Sequence, residues 1–278
     1  MLFGTPDDDT IRSALALAGR APAVSGIQRW RWRIANRQID LYADPPFGTD
    51  VTRSELRDIL LDCGVALHHV TIALTAAGWA PVVRRLPDPD APDHLAAVRM
   101  VAHRATPQDL ALAAAAATRE SDSGPFADGV MPRGCMSLLA ERAAACGAVV
   151  QLASDEQRRV IFSTSFAKVV SGSGGIDGCE VGAKDETSGR GQVLVIHTVE
   201  DDRVARIRAG EALSAVLLTA TNVGLATCPL GGLSGGDLRS EIDRLDPAGA
   251  LYPQALLRIG WSVCAPDTTL PGEQELPR

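Results

Sequence analysis

A chain of 278 residues, 46% apolar and 22% charged with a mean hydropathy of +0.05, has the make-up of an ordinary folded protein, which excludes disordered and fibrous classes. The formal net charge of −7 argues against nucleic acid and against an anionic membrane surface as partners, because both are held through clustered Lys and Arg. Six cysteines without a C-x-x-C pair read as reduced thiols; no secretory leader and no run of about 18 apolar residues is present, so a cytoplasmic protein that does not span a membrane is expected.

In chain order, residues 10–19 read as a short amphipathic helix that stops at Gly19, and a turn-rich stretch from Arg20 to Arg29 follows. Trp30 to Ile34 and Ile39 to Tyr42 alternate like strands, with Asn36-Arg37 as the hairpin link. From about Thr52 to Ala77, Leu56, Ile59, Leu60, Cys63, Leu67, Val70 and Leu74 keep helical spacing, and Leu61, Val65 and Ile72 extend the apolar surface around the cylinder. Such a helix belongs in the interior. Strands at 80–86 and 95–102 flank a turn rich in Asp and Pro. Helices follow near 107–118 and 132–146, separated by a polar loop at 119–130. Residues 148–152 read as a strand and 156–169 as a helix, and the Gly- and Ser-rich stretch 171–189 predicts a mobile loop. A buried strand at 192–197, a second apolar helix at 202–223 and a final strand at 255–263 complete the pattern.

An internal repeat stands out. At an offset of 146 residues, Gly64 matches Gly210, and Ala66, Leu67, Val70, Thr75, Gly78 and Ala80 match Ala212, Leu213, Val216, Thr221, Gly224 and Ala226. A period of half the chain is too long for a solenoid and points to two fused halves, packed about a pseudo-two-fold axis with their interior helices together. The expected halves are 1–105 and 106–278.

Two segments resemble a known family. Arg20-Ala21-Pro22-Ala23-Val24-Ser25-Gly26-Ile27-Gln28-Arg29-Trp30 is similar to the loop that nitroreductases write R-A-P-S-x-x-N-x-Q-P-W, and Gly224-Leu225-Ala226-Thr227-Cys228-Pro229-Leu230-Gly231-Gly232-Leu233 is similar to their helix-to-strand turn. The resemblance, to the tandem Acg-type subgroup of the nitroreductase-like flavoproteins, implies an α+β fold. Its two half-domains would form a pseudo-dimer around central buried helices. It also implies FMN as cofactor, NAD(P)H as electron donor, a small-molecule electron acceptor such as a nitroarene or quinone, and a monomeric pseudo-dimer or homodimer. The implied cofactor-binding positions are Arg20, Pro22, Ala23, Val24, Gly26, Gln28, Arg119, Pro229, Leu230, Gly231 and Gly232. The flavin would carry the chemistry, so no side chain is expected as acid or base, and no metal ligand is expected.

Departures from the family pattern bear on the phosphate. Where tandem relatives read R-R-T-N-R-x-P-F, this chain reads Arg119-Glu120-Ser121-Asp122-Ser123-Gly124-Pro125-Phe126, so Arg119 alone survives and carboxylates stand near an expected dianion. That leaves a non-catalytic member, sequestering flavin or serving as an interaction protein, as the alternative. Gly232-Leu233-Ser234-Gly235-Gly236 matches G-x-S-x-G, but no His follows it to complete a hydrolase triad. His68 and His69, inside an apolar helix, read as hydrogen-bonded core histidines.

Overall fold

Helix α1 (Asp8–Ala18) starts where the Asp7 carboxylate accepts from the Thr10 amide, and it ends at Gly19, as the sequence predicts. The computed structural model describes residues 6–44, 51–127, 129–170, 191–230, 233, 236–245 and 250–263. Strands β1 (Trp30–Ala35) and β2 (Gln38–Ala43) form a hairpin whose link, Asn36 and Arg37, has φ of 51° and 62°. Two residues in that left-handed region match the twist of the strands they join. Helix α2 (Arg53–Ala76) opens on a capping box between Thr52 and Glu55. Strands β3 (Trp79–Arg85) and β4 (His94–Ala102) complete a four-stranded antiparallel sheet in the order β1-β2-β4-β3.

The second half of the chain repeats this order. After α3 (Pro107–Thr118) and the two-residue β5 (Phe126–Ala127) come α4 (Cys135–Ala145), β6 (Val149–Leu152), α5 (Asp155–Val170), β7 (Gln192–Thr198), α6 (Arg203–Asn222), β8 (Ala226–Leu230), α7 (Gly236–Arg244) and β9 (Tyr252–Ser262). Strands β6, β7, β9 and β8 lie side by side in that order, the arrangement of β1, β2, β4 and β3, and β5 adds to β9. Both sheets even carry a register shift at the same place, within the pairing of their second and fourth strands, at Leu41/Tyr42 and at Ile196/His197. Mixed helix and antiparallel sheet place the chain in the α+β class.

Helices α2 and α6 meet in the centre. A Cβ on Gly64 would overlap the Ile207 carbonyl oxygen and stand 2.9 Å from the Gly210 Cα. Reciprocally, a Cβ on Gly210 would overlap the Leu61 carbonyl oxygen and stand 2.9 Å from the Gly64 Cα. Such mutual contacts are the mark of a two-fold relation. Length and composition alone would let α2 cross a membrane, but 72% of its apolar window is buried inside the protein. One core cluster sits between the second sheet and α2, α4 and α6; another joins α1 and α2 to the first sheet. A third lies on the far face of the second sheet under α5 and α7.

The structure adds three elements to the sequence reading. Strand β8 carries Pro229 and follows a glycine, so it reads as a turn; it takes its place by pairing with β9. Helix α7 is short and polar outside, with Leu238 and Ile242 as its buried contacts, and β5 interrupts the expected polar loop. Cys228 corrects the reading of six reduced thiols, since it is disulfide-bonded, whereas Cys63, Cys135 and Cys146 are free. The expected mobile loop at 171–189 lies outside the described residues.

Candidate functional site

The stretch between α1 and β1 folds back on itself. Ala21 and Val24 are buried and pack into the central cluster, which leaves Pro22, Ala23, Ser25 and Gly26 half-exposed above it. Gly26 takes φ of 78° and its amide donates to the Ala23 carbonyl at 3.0 Å, a tight turn at the expected glycine. Gln28 is exposed, and its side-chain amide donates to the carbonyls of Gly19 at 2.7 Å and Ala21 at 3.4 Å, tying the two ends of the stretch together. Below the turn stands Asp62 of α2, fully buried. Its carboxylate accepts from the Val24 amide at 2.6 Å, the Ser25 amide at 3.3 Å and the Ser25 hydroxyl at 2.5 Å. Burial pushes the Asp62 carboxyl up to about 7, against the pull of those hydrogen bonds and with a smaller push from Asp58.

Arg119 caps the C-terminal end of α3, where its amide donates to the Ala115 carbonyl at 2.8 Å. One guanidinium nitrogen donates to the Ser121 hydroxyl at 3.1 Å, and its buried Nε has no partner. Burial lowers the Arg119 pKa, Glu120 works the other way, and the nearby charge of Arg20 adds to the lowering. Arg20 and Arg119, 99 residues apart in sequence, thus stand in one locality. Both are among the expected positions, and Arg20 is exposed. Segment 119–122 then runs along β8, with Ser121 bridging Thr227 and the Asp122 amide donating to the Thr227 carbonyl at 2.9 Å.

Alternation along β8 sends Ala226, Cys228 and Leu230 into the cluster under α5 and α7, and Thr227 and Pro229 to the opposite face. Thr227 is buried, and its hydroxyl has no partner. Leu230 is a core side chain, which leaves only its backbone to meet a ligand, and Pro229 is buried beside it. Gly231 and Gly232 lie outside the described residues, as does Ser234 of the G-x-S-x-G match.

His68 and His69 are held at the α2–α6 contact, as core histidines. The Ser214 hydroxyl lies 2.8 Å from His68 Nδ1 and 3.0 Å from His69 Nδ1, and His69 Nδ1 is 3.0 Å from the Val65 carbonyl. Burial lowers His68 to about 3 and His69 to about 4, so both rings are neutral at pH 7. A neutral His69 that donates from Nδ1 to Val65 keeps a bare Nε2, buried and without a partner, within reach of the Arg119 charge. Among the described residues no group of three or more metal-ligating side chains forms.

Two sets of links result: Arg119 lies within electrostatic range of Arg20 and His69 and reaches Thr227 of β8 through Ser121, and Asp62 ties the 22–28 turn to α2. Sequence reasoning did not single out Asp62, for which a carboxylate in the middle of an apolar helix was the available signal, or the unpaired atoms of His69 and Thr227. A separate open cleft of about 400 Å³, floored by Ala14, Leu17, Ala73, Ala77 and Ala113 and rimmed by Asp7 and Asp9, shares no residue with this site.

No family model matches the chain. A protein of Mycobacterium tuberculosis provisionally named an NAD(P)H nitroreductase, Rv3131, is 34% identical over 301 residues, covering 92% of this chain and 86% of that one. A second from the same organism, provisionally named the NAD(P)H nitroreductase acg, is 30% identical over 299 residues, covering 91% and 89%. Among solved structures, an FMN-bound nitroreductase of Desulfitobacterium hafniense superposes with a TM-score of 0.41 at 15% identity, covering 60% of this chain and 97% of that one. An FMN-bound nitroreductase of Bacteroides fragilis gives 0.40 at 13%, covering 60% and 94%.

Proposed function

The chain belongs to the nitroreductase-like family of its mycobacterial relatives, and from that membership we propose that it is an FMN-dependent oxidoreductase that takes electrons from NAD(P)H and passes them to small acceptors such as nitroarenes or quinones. The observation that carries the reading is Arg119, whose buried Nε has no partner and which feels the charge of Arg20 from the segment that runs into the glycine-bearing turn.

The residues fit the cofactor. Arg119 and Arg20 supply positive charge for its phosphate, and the Ser121 and Thr227 hydroxyls supply short donors beside them. Glu120 opposes that charge, so the phosphate is held less firmly than by an all-arginine stretch. Pro22 to Gln28 present backbone and small side chains to a flat ring, and Gly26 permits close approach. When bound, the flavin supplies reversible two-electron chemistry between nicotinamide and acceptor. The protein's part is placement and exclusion of water: the turn is fixed from below, and Val24 and Ala21 close the floor with apolar surface.

The same reading takes the molecule as two fused halves, 1–105 and 106–278, acting as a monomeric pseudo-dimer or pairing further, in the cytoplasm. The repeated strand order and the reciprocal Gly64 and Gly210 contacts support the two fused halves. A yellow preparation with visible flavin bands, FMN binding at micromolar concentration and steady NADH or NADPH oxidation with a nitroarene or quinone is the expected outcome. Arg119→Ala should weaken FMN binding about tenfold or more. A colourless protein that ignores added FMN overturns the reading.

A further inference from the structure

We propose that Asp62 is a positioning residue for the ligand site: from the middle of α2 its carboxylate holds the Ala23–Gly26 turn where a planar ligand meets it. The inference rests on the flavin reading above. A carboxylate inside a helix packed on all sides costs free energy unless donors converge on it. Here three converge, the amides of Val24 and Ser25 and the hydroxyl of Ser25, and all belong to the turn. The turn's other bonds act differently. The Gly26 amide and the Gln28 side chain bind only within residues 19–28, so they set the turn's shape and not its place. Van der Waals contact of Ala21 and Val24 with the core resists lifting but does not fix orientation. Asp62 alone among these ties the turn's backbone to a rigid element, with both carboxylate oxygens engaged. The Ile27 carbonyl, 3.0 Å from the Ser25 hydroxyl, competes with Asp62 for its single proton, and the 2.5 Å contact to the carboxylate is the shorter.

The test uses the full chain and three variants. Asp62→Ala removes both acceptors, Asp62→Asn keeps one oxygen for the Val24 amide, and Ser25→Ala cuts the anchor from the exposed side without touching the core. Hydrogen exchange of residues 20–28 is read first without ligand, and flavin fluorescence then gives the FMN affinity. The Val24 and Ser25 amides should exchange about tenfold or more faster in Asp62→Ala while exchange in α6 is unchanged, with Asp62→Asn restoring protection at Val24. FMN affinity should fall about tenfold in Asp62→Ala and recover in large part in Asp62→Asn. Ser25→Ala should weaken binding in the natural background but add nothing in Asp62→Ala, because both cut the same link. Unchanged exchange in Asp62→Ala overturns the proposal, as does a released turn with unchanged FMN affinity or a uniform rise in exchange across α2 and α6. A natural chain that binds no FMN overturns the flavin reading and the ligand half of this one; exchange still decides whether Asp62 holds the turn.

Discussion

Helices α2 and α6 occupy equivalent places in the two halves, and they differ most where they face their own surroundings. At the point of closest approach they are alike: Gly64 opposes Gly210, and the carbonyls of Leu61 and Ile207 occupy the space a Cβ would need. At the same offset of 146 residues, Asp62 corresponds to Arg208 and Val65 to Glu211, whose partners lie on other elements, while His68 and Ser214 differ and hydrogen-bond each other across the contact. Asp62 clasps a turn; Arg208 lies against Gly147 at the end of α4. Glu211 reaches across to Arg85 of β3 in a two-bond ion pair at 2.8 and 2.7 Å, an interaction that Val65 cannot mirror. Backbone-to-backbone contact thus preserves likeness, and contact through side chains permits divergence.

The comparison breaks first at its centre. Gly64→Ala and Gly210→Ala should each cost about 5 kcal/mol or more in denaturant unfolding, because backbone oxygen cannot yield as a side chain does. Comparable losses would sharpen the equivalence, and a benign alanine at either position would end it. Next, Arg85→Ala strands Glu211, which is 5% exposed on its side chain, and should cost about 3 to 4 kcal/mol. Adding Glu211→Val, which gives α6 the residue of α2, should recover much of that loss.

Asp62 sets the third effect. Its folded pKa of about 7 lies above the usual 3.8, so the folded state binds the proton more tightly than the unfolded one. The contribution is whole below pH 4 and is lost as pH rises through 7. Stability of the natural chain, measured against Asp62→Asn, should therefore decline by about 3 kcal/mol across that window and stay level above it. An equal pH response in both proteins would show that the carboxyl is hydrated in solution. The smallest effects belong to the caps: Thr52→Ala at α2 and Asp202→Ala at α6 should each lower stability by about 1 kcal/mol in thermal melts.

Much of this architecture was legible beforehand. Helical periodicity placed α1 to α6 within a few residues, and β1, β2, β4, β7 and β9 announced themselves by alternation or continuous apolar runs. Strand β8 did not, because Pro229 argues against a strand until a partner is known, and β9 is the partner. The site divides in the same way. Arg20, Arg119 and the glycine turn are proposed through motif likeness, whereas the burial of Asp62, the bare ring nitrogen of His69 and the unpaired hydroxyl of Thr227 exist only once distant segments meet. Nothing in the spacing of those residues encodes their neighbours.

The glycine crossing also bears on how such a protein can change. In an assembly of two identical subunits every mutation appears twice, on both sides of the axis, so a carboxylate gained for one pocket is forced upon the other. With both helices on one polypeptide, a substitution falls on one side only, and Arg208 can go its own way while Asp62 stays. What remains shared is the pair of positions too crowded for any side chain, which act as the fixed pivot around which specialisation proceeds.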